Sequence, residues 1–173
     1  HDSVALGKNN TIKGNNALVG GTGAKVQGNN AIAFGDGAKA TYDDVYAIGR
    51  NAEATAQNTV AIGNNATAAG IDSIAIGKAA NIAKAGSIVI GRKTTAGELA
   101  VSVGTDSEAM GWGGTAVGTI SKASGVQSTA IGNNAQASDT YATALGISSV
   151  ASGRAANAIG LSKATGYASN AIG

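Results

Sequence analysis

The chain has 173 residues with a formal net charge of +2, 27 glycines, no proline, no cysteine and only six aromatic side chains. The lack of cysteine excludes a disulfide frame, thiolate chemistry and a Cys-based metal site, and the lack of proline excludes a collagen helix. So small a net charge gives no basis for nucleic-acid binding, and an interior built from alanine and glycine must be narrow.

From the first residues onward a short apolar phrase ending in glycine recurs, with its glycine at 7, 21, 35, 49, 63, 77, 91, 104, 118, 132, 146, 160 and 173. Every step is fourteen residues except Gly91 to Gly104 and Gly160 to Gly173, which are thirteen. A period this short and regular marks a solenoid in which each repeat is one coil stacked on the next. Before each glycine, large and small residues alternate, as in Ile32-Ala33-Phe34, Tyr46-Ala47-Ile48 and Val60-Ala61-Ile62. That is the period of two of a short strand.

A second strand is expected where small residues stand three and five places after the glycine, as at Ala38 and Ala40 or Ala52 and Ala54. The Asn-Asn, Asp-Gly and Gly-Asn pairs between them suit the left-handed backbone of tight turns. Helix is excluded, because glycine every seven or so residues costs about 1 kcal/mol each in a helix interior. About twelve coils at ~4.8 Å spacing predict a rod of roughly 55 to 60 Å. Parity predicts that the Ile and Val columns fill the coil and the Ala column faces other chains; the reverse assignment satisfies the same parity. A thin roll with one uncovered apolar sheet calls for cover by further copies of itself, which predicts a homo-oligomer.

Both thirteen-residue coils, 92–104 and 161–173, are expected to lose their residue in a turn, because a deletion within a strand would flip every following side chain. The chain opens and closes inside a repeat and is expected to be one head domain, residues 1–173, of a longer surface protein. No signal peptide and no apolar run of membrane-spanning length is visible in it.

The stretches Asn58-Thr59-Val60-Ala61-Ile62-Gly63, Asp72-Ser73-Ile74-Ala75-Ile76-Gly77 and Gly86-Ser87-Ile88-Val89-Ile90-Gly91 resemble the head repeat of the trimeric autotransporter adhesins, the YadA-like head. The resemblance implies a homotrimer of left-handed parallel β-rolls displayed on the bacterial cell surface. Membrane attachment would run through a stalk and an outer-membrane anchor lying outside this sequence. The implied partners are host matrix proteins (collagen, fibronectin, laminin) or host-cell receptors. Departures from the pattern are Gly20 in place of a large residue, Ser102 in place of alanine, and Thr115, Thr129, Thr143, Asn157 and Asn170 in place of valine.

Gly35-Asp36-Gly37-Ala38-Lys39-Ala40 imitates a dinucleotide fingerprint, but the expected following segment is a strand, where that fingerprint needs a helix. Asp36, Asp43 and Asp44 read as turn carboxylates, since no calcium nonapeptide recurs, and no metal or other cofactor is expected. His1 is the only histidine and no nucleophile or paired-carboxylate arrangement stands out, so no enzyme is expected. Ser73 and Ser87 recur because they suit the start of a strand.

Lys78, Lys84, Arg92 and Lys93 lie within two coils, followed by Glu98, Asp106 and Glu108. They form a candidate basic belt beside an acidic one, able to meet complementary charge on a partner, against the plainer reading as solubilising turn charge. Trp112, in the turn Met110-Gly111-Trp112-Gly113-Gly114, is either an exposed binding anchor or a ring folded back over an underfilled turn. The predicted function is a non-catalytic adhesin head whose repeated weak contacts add through multivalency. The competing classes are an ice- or mineral-binding solenoid, suggested by the threonine column, and a structural spacer.

Overall fold

The computed structural model of the chain describes residues 2–173, so the reading of His1 lies outside the described residues. Every described regular element is a strand, and the strands form a parallel β-solenoid of about twelve coils. They fall into two compact units, one running to Gly86 and the other Ser87–Gly173.

In the first unit each coil contributes two strands. These are β1 (Val4–Lys8) and β2 (Thr11–Ile12), β3 (Leu18–Thr22) and β4 (Lys25–Val26), β5 (Ile32–Phe34) and β6 (Lys39–Ala40), β7 (Tyr46–Ile48) and β8 (Glu53–Ala54), β9 (Val60–Ile62) and β10 (Thr67–Ala68), and β11 (Ile74–Ile76) and β12 (Asn81–Ile82). Odd strands pair in parallel with odd, as Ala47 with Ala61, and even with even, as Lys39 with Glu53.

The second unit repeats the plan. Its strands are β13 (Ile88–Ile90), β14 (Thr95–Ala96), β15 (Val101–Val103), β16 (Glu108–Ala109), β17 (Thr115–Val117), β18 (Lys122–Ala123), β19 (Thr129–Ile131), β20 (Gln136–Ala137), β21 (Thr143–Leu145), β22 (Val150–Ala151), β23 (Asn157–Ile159), β24 (Lys163–Ala164) and β25 (Asn170–Ile172).

The interior corrects the column assignment made from parity. Ala33, Ala47, Ala61 and Ala75 in the first unit, and Ala116, Ala130, Ala144 and Ala158 in the second, are 0% exposed, while the large residues on either side of them point outward. The reason is width. Even strands contribute mostly alanine to the same interior, as at Ala40, Ala54 and Ala68 or Ala109, Ala123 and Ala137, with Val26 and Ile82 as the larger exceptions. Two sheets held this close by short turns leave room mostly for methyl-sized groups, with an occasional Val19, Val26, Ile82 or Val89, and not for a continuous layer of large side chains. Ile76, predicted to sit in the core, is therefore half-buried on the outer face. Ser102 takes an inward place in β15 and is satisfied by a 2.8 Å hydrogen bond between its hydroxyl and that of Ser107.

Tight stacking also explains the repeat glycine. Gly118 has φ +129°, and a Cβ there would lie 2.5 Å from the carbonyl oxygen of Gly132 in the next coil. No side chain fits that gap.

Both thirteen-residue coils keep their register. Ile88 pairs with Val101 and Thr95 with Glu108. The missing residue comes from the turn 97–100, which joins β14 to β15 where residues 110–114 join β16 to β17. In the last coil it comes from 160–162, which joins β23 to β24 where 146–149 joins β21 to β22. The strands run on and Ala100 and Ser102 stay buried, as turn shortening requires.

Candidate functional site

Each coil presents four surfaces whose chemistry follows from the strand period. The outward residues of the odd strands are large and apolar. In the first unit they are Ile32 and Phe34, Tyr46 and Ile48, Val60 and Ile62, and Ile74 and Ile76, and each is exposed or half-buried. In the second unit Ile88 and Ile90 lead to Val101 and Val103, after which the first of each pair becomes Thr115, Thr129, Thr143, Asn157 and Asn170. An uncovered sheet face of this composition is an interaction surface.

The outward residues of the even strands are polar except Val150. Lys39 pairs with Glu53 at 2.6 Å, and Lys122 with Glu108 at 3.3 Å, each across one coil step. Such exposed pairs contribute little stability, but they keep this face solvated and distinct from the apolar one.

The other two surfaces are rims of turns. The first rim carries the turns from odd to even strands, and the second rim carries those from even to odd. Asparagine and aspartate side chains tie successive turns together. Asn15 Nδ2 donates to Asn29 Oδ1 at 3.2 Å, and Asn29 Nδ2 to Asp43 Oδ1 at 3.2 Å. Beside them Asn16 donates to Asn30 and Asn30 to Asp44. Asp36 accepts from the Thr22 N–H at 2.9 Å. The three aspartates are thus rungs between coils, and among the described residues no group of three or more His, Cys, Asp or Glu side chains could hold a metal ion. The stretch 35–40 is the turn after β5 followed by β6, with no helix to receive a phosphate.

The basic candidates are placed by the turns that carry them. Within the first unit Lys78 lies on the first rim and Lys84 on the second, both exposed. Within the second unit Arg92 and Lys93 are exposed on the first rim, and Arg92 Nη2 is engaged by Asp106 Oδ2 at 3.0 Å. Trp112 lies on the second rim, the side opposite Arg92, and is 45% exposed. Its carbonyl accepts from Gln127 N–H at 2.8 Å, and the Val126 carbonyl accepts from Tyr141 N–H at 2.9 Å, so these turns stack coil on coil. Leu99 and Tyr141 at the left-handed place of these turns, and Trp112 and Val126 at the place before it, are all exposed on this rim. Sequence reading singled out Trp112 alone and missed its neighbours on the rim. Aligning the turns by coil would have revealed them.

A second feature missed at the sequence level is a pair of adjoining hollows beside Tyr42 on the second rim of the first unit. One, of about 310 Å³, is lined by Gln27, Gly28, Thr41, Tyr42, Asp43 and Gln57. The other, of about 230 Å³, shares Tyr42 and Gln57 and adds Thr55, Ala56, Ala69 and Ile71. The visible signal was Tyr42 itself, standing in a column that holds glycine at Gly14, Gly28 and Gly70.

The family model of the YadA head domain repeat matches residues 13–38, 46–66, 54–80, 111–135 and 123–149, more than half of the chain. Among solved structures, the collagen-binding domain of the Yersinia adhesin YadA is similar over 94% of this chain and 69% of its own, at 25% identity and a TM-score of 0.56. No curated protein matches.

Proposed function

This chain belongs to the YadA head-repeat family, and from that premise we propose that it is the non-catalytic head of a bacterial surface adhesin. In this reading it is a homotrimer held at the outer membrane by parts outside this sequence, and it attaches to host matrix proteins such as collagen, fibronectin or laminin, or to host-cell receptors. The observation that carries the reading is the likeness to a collagen-binding adhesin domain along nearly the whole chain.

The trimer is supported by the division of each unit's surface. The odd-strand face is apolar and suited to cover by further copies, whereas the even-strand face is charged and solvated. The rims are then left open to a partner. Trp112 and its neighbours on the second rim supply anchoring area, and Lys78, Lys84, Arg92 and Lys93 supply charge that steers association. Three chains with repeated coils let weak contacts add through effective concentration.

The test is solid-phase attachment of the chain to immobilised collagen, fibronectin and laminin, with sedimentation reporting its mass. A trimer that attaches, loses attachment in Trp112→Ala and weakens with salt or on neutralising the four basic residues is expected. A trimer attaching to none of these ligands, nor to host cells, would favour a spacer.

A further inference from the structure

We propose that the two hollows around Tyr42 are a binding site for a neutral saccharide. The site begins at a place in the repeat where glycine is frequent and the only aromatic residue of its column stands. At this corner of the second rim a Cβ on Gly28 would lie 1.8 Å from the carbonyl oxygen of Tyr42, and one on Gly70 1.9 Å from that of Lys84. Of the two coils between them, one carries Ala56 at this corner and the other a tyrosine, Tyr42, 53% exposed. Bare Gly28 beneath it leaves the floor of the larger hollow open, and Tyr42 stands between the two hollows as their common wall.

The lining defines the ligand by its chemistry. Gln27 and Gln57 offer side-chain amides that both donate and accept, and Thr41 and Thr55 offer hydroxyls. None of these four side chains forms a hydrogen bond within the chain. Asp43 is held in place through Oδ1 by the backbone N–H of Asn29 at 2.6 Å and its Nδ2 at 3.2 Å, which leaves Oδ2 for a ligand donor. Ile71 and the Tyr42 ring supply an apolar surface. Interleaved donors and acceptors beside an aromatic face match a pyranose ring, which carries hydroxyls around its edge and C–H groups on its faces.

The same lining argues against two other ligand classes. No lysine or arginine faces either hollow, so nothing compensates an acidic or sulfated ligand. A peptide bound as an added strand needs free backbone groups. Here the coil ladder consumes them, with Gln27 N–H donating to Ala40, Thr41 N–H to Ala54, Thr55 N–H to Ala68 and Asp72 N–H to Gln57. The larger hollow reaches the lower end of the size range of small-molecule sites, about 300 Å³.

The site adds a ligand class to the attachment reading and stands on the hollows alone. It is tested by nuclear magnetic resonance titration of the isotopically labelled 173-residue chain with neutral tri- and tetrasaccharides of the malto, cello, chito and lacto series. Signals of Tyr42 and the Gln27 and Gln57 side-chain amides should shift saturably with at least one series. Tyr42→Ala should weaken binding about tenfold, and Gln57→Leu should weaken it too. Ala56 occupies the same column in the next coil, so alanine at this place is compatible with the roll. Absence of saturable shifts with every series, undiminished binding by Tyr42→Ala, or a preference for sulfated saccharides or peptides would overturn the proposal. Matrix attachment measured on the same variants separates this outcome from failure of the adhesin reading, which predicts attachment whether or not sugars bind.

Discussion

Gly20 and Phe34 are partners in the parallel register of β3 and β5, and the phenyl ring lies where a side chain on Gly20 would project. A Cβ on Gly20 would be 2.5 Å from Phe34 Cε2. The one glycine in the large-residue column and the one phenylalanine in the chain are thus a single size exchange between neighbouring coils. Since Gly20 has an ordinary φ, isoleucine is excluded there only by the ring. Gly20→Ile should cost about 1 to 3 kcal/mol, and Phe34→Ile in the same chain should recover most of the loss. Thermal melts of the two single variants and the double variant form the cycle that measures this coupling. Additive effects would refute it.

The inverted columns predict opposite consequences at adjacent positions of β19. Ala130 is fully buried between the sheets, whereas Ile131 is exposed on the outer face. Ala130→Leu should cost about 3 kcal/mol by overpacking. Ile131→Asp should leave the circular dichroism of the roll intact while shifting sedimentation from trimer towards monomer. A variant pair behaving the other way round would restore the assignment made from parity.

That inversion shows where sequence reading reached its limit. The strands of the repeat, the turns between them and the harmless loss of a residue at the two short steps all follow from spacing, because register and turn chemistry are local. Which parity faces inward is set by the distance between two sheets, and the alternation Ile74-Ala75-Ile76 is identical from either side. The missing constraint was the even strand: with Ala40, Ala54 and Ala68 as its inward residues, a partner layer of isoleucines would hold the sheets apart beyond the reach of the turns. The Tyr42 hollows were out of reach for a related reason. They arise from a glycine floor in one coil and side chains from its neighbours, a relation that only stacking creates. For Lys78 and Lys84, nearness in sequence did not mean one rim.

Backbone strain offers a stabilising change. Ile120 adopts φ 58° on the first rim, at the place held by Asn9, Asn51, Asn65 and Asn134 in other coils. A β-branched residue in the left-handed region costs roughly 1 to 2 kcal/mol, and Ile120 is exposed, so its side chain recovers little by burial. Ile120→Asn should raise the urea midpoint by an amount equivalent to about 1 kcal/mol, with the slope unchanged. A lower midpoint would mean that the isoleucine is held by contacts outside the single chain.

The shortened turn at 97–100 separates tolerance in turns from intolerance in strands. Thr95 pairs with Glu108 and Ile88 with Val101 although each step spans thirteen residues, so the register is carried by the strands and the turn absorbs the difference. Leu99 takes the left-handed place in this turn, with φ 54°, as Asn58 and Asp72 do in turns of standard length. One asparagine inserted between Glu98 and Leu99 restores the fourteen-residue step, and the melting temperature should change little or rise. The same residue inserted between Val101 and Ser102 would send Ser102 outward, turn Val103 inward and put every following side chain of the strand on the wrong face, as any one-residue slip does. That variant should lose cooperative unfolding. Hydrogen exchange of the β13 to β17 amides provides the check: protection retained in the first insertion and lost in the second is expected, and equal protection in both would disprove the assignment of register to the strands.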